Sequence, residues 1–307
     1  MTDGRDGPLG EDEFACMTEV AAELSLPAAS IPAVRRVAVQ LSAEQSVSVL
    51  CWGEGSPEVV YLHGGGQNAH TWDLVALAWG RPALAVDLPG HGRSDRRPDR
   101  DYWPVRNADA VRRVLDALAP DQVDLVGMSL GGLTAIRAAA QWPERFRTLT
   151  VVDVTPGVGA RTMAMSRAQR GTTALIGGPE RFDSREEMID SAVAASPRRP
   201  AAAVRRGVVH NTLQLPDGAW AWRYDRMRDP DDDTPLDHTD LWADVSALRV
   251  PTMLVRGGES VFVPAEDAAE LVRRLPSARV ETVPGAGHSV QSDRPRELVD
   301  LLRGFVA

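Results

Sequence analysis

Lysine is absent from all 307 positions, so each of the 34 basic residues is arginine. That excludes Schiff-base chemistry, a pyridoxal lysine and the phosphate-binding lysine of a Walker motif. Cysteine is nearly absent too. Cys16 and Cys51 are the only two, too few for a disulfide framework or a thiolate metal cluster, and they are expected to be unpaired thiols. No His/Asp/Glu cluster has the sequence spacing of metal ligands, so neither a metal nor a cofactor is expected. No basic stretch is long enough to neutralise a row of phosphates, and 34 basic against 43 acidic residues leave a formal charge of -9. A nucleic-acid partner is therefore not expected. Long apolar runs are also missing, so no membrane span is expected. The first residues are acidic and polar where a signal peptide needs a basic start and an apolar centre, and the reading is cytoplasmic.

What the chain does have is a strand, a tight turn and a helix in immediate succession. Val123 to Gly132 reads Val-Asp-Leu-Val-Gly-Met-Ser-Leu-Gly-Gly, and helix-forming residues follow to Gln141. The Gly-x-Ser-x-Gly pentapeptide (Gly127 to Gly131) is short, but an apolar strand before it and a helix after it form the context of a nucleophile elbow. Such a turn strains the serine backbone, and side chains two residues away on either side would collide. Ser129 is the candidate nucleophile.

At this length the chain can bury a large α/β core. Residues 1–33 read as an N-terminal extension laid outside the core, with a possible short helix from Glu13 to Leu24. Arg36–Leu41 and Ser46–Trp52 alternate apolar with polar and predict an antiparallel hairpin. Val59–Leu62 and Pro82–Val86 are short buried strands; the first runs into His63-Gly64-Gly65-Gly66, the second into Asp87-Leu88-Pro89-Gly90-His91-Gly92-Arg93-Ser94. Apolar residues at helical spacing predict a helix over Trp103–Leu118. Leu149–Val152 is the next strand, followed by Asp153.

Strand and helix then stop alternating between Gly157 and about Thr239, a stretch too long for a loop, which predicts an inserted helical cap over 157–239. Alternation resumes with a strand at Pro251–Val255, a helix at Ala265–Leu275, a strand at Arg279–Val283 and a final helix at Arg294–Val306. The pattern implies a mostly parallel central sheet flanked by helices, its core formed by 34–156 and 240–307, with functional residues at the carboxyl ends of the strands.

Ser129 needs a base to take its proton and a third group to orient that base. Of the six histidines, His288 fits best, on the glycine-bordered Pro284-Gly285-Ala286-Gly287-His288 loop after the last strand. His63 and His91 read as loop-shaping residues. His70, His210 and His238 carry no partner pattern.

The His63-Gly64-Gly65 loop, the Asp87-to-Gly92 turn with Ser94, the Gly127-to-Gly131 elbow and the Pro284-to-His288 loop together resemble the α/β-hydrolase fold family, from about residue 34 to the end. The resemblance implies an oxyanion hole formed by the backbone N–H groups of Gly65 and Leu130, and a pocket wall that includes Trp72. Serine at the elbow, where epoxide hydrolases and dehalogenases carry aspartate, implies acyl transfer.

The acid departs from the commonest pattern. Where the family usually has Asp after the strand at Pro251–Val255, Gly257-Gly258-Glu259-Ser260 places a serine. Two carboxylates remain, Asp153 and Glu259. Arg256 to Ser260 is similar to the Arg-Gly-Gly-x-Ser sequence of a branch of small bacterial and mitochondrial esterases, which implies Asp153 as the third triad member; Glu259 stays open as the alternative. Trp220 and Trp222, in the cap, are candidates to line an acyl pocket, or simply the cap's own core.

The leading reading is a serine hydrolase cleaving a carboxylic ester, thioester or lactone of a small molecule through an acyl-enzyme. The fold also hosts cofactor-free oxygenases and peroxidases, and non-catalytic receptors that keep a triad. Those two classes are the alternatives.

Overall fold

The computed structural model describes residues 13–159, 165–170, 173, 175–226 and 236–306. β1 (Val34–Gln40) and β2 (Ser46–Trp52) form the expected antiparallel hairpin, in register from Val34 opposite Trp52 to Gln40 opposite Ser46. β2 runs antiparallel to β4 (Ala83–Val86), and every pairing in the same sheet other than these two is parallel. The sheet has eight strands in the order β1, β2, β4, β3 (Val59–Leu62), β5 (Val123–Met128), β6 (Phe146–Val152), β9 (Thr252–Gly257), β10 (Arg279–Val283). All residues of β3 and β5 are buried, as strands in the middle of a parallel sheet covered on both faces require.

Both faces are covered. One core layer packs the sheet against α3 (Pro104–Leu118) and α4 (Leu130–Gln141), through Val111, Leu115, Leu133 and Ile136 among others. The other packs it against α2 (Asp73–Trp79) and the last helix, Pro295–Phe305.

The second layer also takes in the N-terminal segment, which corrects its placement outside the core. α1 (Met17–Glu23) buries Met17, Val20 and Ala21, with Leu24 just beyond it, against this layer. Its four apolar residues at helical spacing find a ready surface.

Between β6 and β9 the chain leaves the sheet. α5 (Arg185–Ala194) and α6 (Ala201–His210) pack around a separate small core that includes Met188, Ile189, Val204 and Val208. The expected all-helical insertion also contains a hairpin, β7 (Thr212–Gln214) with β8 (Trp220–Trp222). Trp220-Ala221-Trp222 alternates with a period of two, and the Asp217-Gly218 turn lets Gly218 adopt φ +88°.

Candidate active site

The elbow exists because two backbones touch. A Cβ on Gly127 would lie 2.2 Å from the Gly131 carbonyl oxygen, and one on Gly131 would lie 2.3 Å from that of Leu62. With glycine at both places, α4 starts directly against the end of β5. Ser129, between them, is held at φ 51°, ψ -120°, a region that L-residues avoid. Hydrogen bonds fix it there: its N–H donates to Val152 O at 3.1 Å, and its carbonyl accepts from Leu133 N at 3.0 Å.

Asp153 follows β6, the neighbouring strand, and is fully buried at φ 51°. His288 Nδ1–H donates to Asp153 Oδ2 at 2.8 Å. Gly257 N–H donates to Oδ1 at 2.9 Å, and the Ser260 hydroxyl donates to Oδ2. The Phe262 ring stacks on His288 at 3.6 Å between centroids, 13° from parallel. Among the described residues, His288 Nε2 is buried and makes no hydrogen bond. Glu259 is exposed; its backbone N–H donates to Ala286 O at 2.8 Å.

The glycine loop after β3 lies against the elbow, since a Cβ on Gly64 would be 3.2 Å from Ser129 Cβ and 2.6 Å from Met128 Sδ. His63 shapes this loop: its Nε2 accepts from Leu88 N at 2.9 Å, and Nδ1–H donates to Gly64 O at 2.7 Å. Complete burial, then the neighbouring His91, pull the His63 pKa down to about 3, so the ring keeps the neutral form that this bonding needs. Asp87 ties the loop to the following turn, accepting from Ala69 N at 2.7 Å, Arg93 N at 3.0 Å and Arg36 Nη1 at 2.7 Å.

Gly65 opens onto a cavity of about 150 Å³ between the loop, α1 and the inserted segment, lined in part by Leu74, Ile176, Val204, Trp222 and Tyr224. Trp222 is thus on the lining. Trp220 is not; it pairs with Phe182 and lies under the Arg185 guanidinium, 4.3 Å from ring centroid to Cζ. Trp72 is also absent from that lining, being fully buried and stacked on Tyr61 at 4.9 Å.

The fold assembles one polar cluster that the sequence hid. His70 donates from Nδ1 to Asp73 at 2.9 Å and from Nε2 to Glu13 at 2.9 Å, while its ring stacks on His210 at 3.8 Å. Cys16 Sγ lies 3.2 Å from His210 Nε2. Glu13, His70 and His210 are far apart in the chain, and no sequence pattern links them. One ligand atom each from His70, Asp73 and His210 falls within 4.8 Å of the others, a proximity that sequence spacing did not reveal. The rings are only 13° from parallel, so their in-plane lone pairs point along separate planes. One ion cannot meet both without turning a ring.

A strained serine between β5 and α4, a buried aspartate after β6 and a histidine after β10 is a family arrangement, and the alpha/beta hydrolase family model matches residues 59–301. The chain belongs to the alpha/beta hydrolase family. It is 48% identical to the esterase Rv0045c of Mycobacterium tuberculosis over 98% of each chain. A solved structure of that esterase superposes with a TM-score of 0.84 at 49% identity, covering 96% of this chain and 98% of the other. The sn-1-specific diacylglycerol lipase ABHD11 of Mus musculus is 29% identical over 82% of this chain and 81% of its own. Ser260 and Phe262 complete the surroundings of the Asp153–His288 pair. The only signal for Ser260 was a serine where the family usually has an acid, and Phe262 had none.

Proposed function

We propose that the protein is a serine hydrolase that cleaves a carboxylic ester of a small molecule through an acyl-enzyme. The observation that carries this is the hydrogen bond from His288 Nδ1 to buried Asp153, with Ser129 on a strained elbow one strand away. In this reading Asp153 fixes the histidine tautomer, leaving Nε2 as the base. His288 takes the hydroxyl proton as Ser129 Oγ bonds to the ester carbon, then returns it to the departing alkoxide. The negative oxygen formed on the way lies between the N–H groups of Gly65 and Leu130, each such donor contributing about 3 kcal/mol to the transition state. Water repeats the sequence to release the acid.

Residues 34–156 and 240–307 serve as the hydrolase core, 157–239 as a cap that shapes the pocket, and 1–33 as an N-terminal extension whose described residues, 13–33, brace core and cap. The relative named as an esterase, at 48% identity, supports ester hydrolysis.

The test is a series of nitrophenyl esters of graded acyl length, together with labelling by a fluorophosphonate. Ser129→Ala is expected to lose about a million-fold in turnover and all labelling, with circular dichroism unchanged. An Ser129→Ala protein that still turns over the esters, free of contaminating esterase, overturns the acyl-enzyme.

A further inference from the structure

The cavity beside Gly65 is lined by more cationic than anionic side chains. Its lining includes Arg199 and Arg206 against a single carboxylate, Asp73, whereas the whole chain is acidic. Asp73 is engaged by His70, and Arg206 by Glu23. Arg199 is different. Its nearest described carboxylate is Asp293, whose Oδ1 lies 3.6 Å from Nε, too far for a hydrogen bond. The other oxygen of Asp293 already accepts from Gly287 N–H at 2.8 Å. Arg199 is thus held in a loose ion pair with Asp293, with no hydrogen bond from its side chain to a described residue, and its side chain is 25% exposed.

Part of the Arg199 side chain lies against this lining, which includes Ala192, Ala203 and Val204. N–H donors that make no hydrogen bond there are available to an anion that reaches them. Pro197 and Pro200 bracket Arg198 and Arg199 and stiffen the segment that presents them.

We propose that this cavity is an anion subsite, in which Arg199 receives the carboxylate or phosphate of an ester whose charged group lies a few carbon atoms from the scissile carbonyl. The proposal rests on the hydrolase reading, which places Gly65 at the reacting oxygen and Arg199 elsewhere on the same lining. The size limits the chain, since about 150 Å³ is well below the roughly 300–1,000 Å³ of a pocket for a drug-sized ligand. Half-esters of short dicarboxylic acids fit the description, as do short phosphonate esters.

The experiment compares ethyl hydrogen glutarate with ethyl pentanoate, and ethyl hydrogen adipate with ethyl hexanoate, by ethanol release from wild type, Arg199→Gln and Arg199→Lys. Ethyl 4-phosphonobutanoate, run beside the glutarate half-ester, decides between carboxylate and phosphate. Wild type is expected to favour an anionic ester at least about tenfold in kcat/KM, because a bidentate charge-assisted pair is strong. Arg199→Gln should bring that ratio near one through KM, and Arg199→Lys should restore part of it.

A wild type that prefers the neutral esters, or an Arg199→Gln that lowers both classes in the same proportion, overturns the subsite. Calorimetric titration with glutarate and with inorganic phosphate reads the subsite without turnover. One of the two should bind wild type and not Arg199→Gln; binding that is absent from wild type or equal in both proteins refutes the proposal. If Ser129 resists fluorophosphonate while that difference in binding persists, the hydrolase reading fails and the subsite stands.

Discussion

Asp153 accepts from three donors at once: the His288 ring, the Gly257 amide and the Ser260 hydroxyl. An amide in its place would offer one acceptor oxygen and turn an NH₂ group toward donors, so the imidazole would lose its orientation and its preferred tautomer. Asp153→Asn is expected to lower kcat about 10⁴-fold, whereas Glu259→Gln, on an exposed side chain, should stay within a few-fold. Steady-state kinetics on the two folded variants decides this. Nearly full activity in Asp153→Asn, or a comparable loss in Glu259→Gln, would return the acid to the position after β9.

At the scale of elements, α1 is held by what it buries. Leu24 is 2% exposed and packs in the same layer as α2 and the C-terminal helix. A Leu→Ala change at a buried site costs about 2–5 kcal/mol, part transfer and part cavity. Leu24→Ala should therefore lower the urea midpoint clearly, with an unchanged m-value. A midpoint equal to wild type would mean that the segment rests on the core without supporting it. The same segment carries Glu13 to Arg36 and His70, and through Arg36 to Asp87 and the glycine loop. An N-terminal helix thus braces a loop beside the elbow.

For the whole molecule, this buried network sets a pH dependence. Burial opposes charging His70, but Asp73 and Glu13, each accepting from one ring nitrogen, overcome it and push its pKa up to about 9 from 6.5. A raised pKa means the folded state holds the proton more tightly. Its contribution is then complete below pH 6.5 and is lost as pH rises through about 9. Urea unfolding at pH 6, 7.5 and 9.5 should show stability falling across this window, and His70→Gln should flatten the fall. A wild type equally stable at pH 6 and 9.5 would show that the cluster contributes no such linkage.

Local pattern was enough for the parts built from local contacts. The strand–glycine–serine–glycine–helix run placed Ser129, because the collision that selects glycine at 127 and 131 occurs within one turn. Alternation of strands and helices indicated a parallel sheet covered on both faces, because each apolar run must be buried by its neighbours. The sequence by itself also singled out His288, on a glycine-bordered loop after the last strand. Asp153 and Glu259 both remained open, since either carboxylate follows a strand, and only strand order sets which of them faces the imidazole. The role of Ser260 as a donor to Asp153, the stacking of Phe262, the insertion of Glu13 and the pairing of His70 with His210 were likewise decided by tertiary structure. Each depends on side chains brought together from distant segments, and burial gives those contacts their strength by removing the water that would otherwise compete for them.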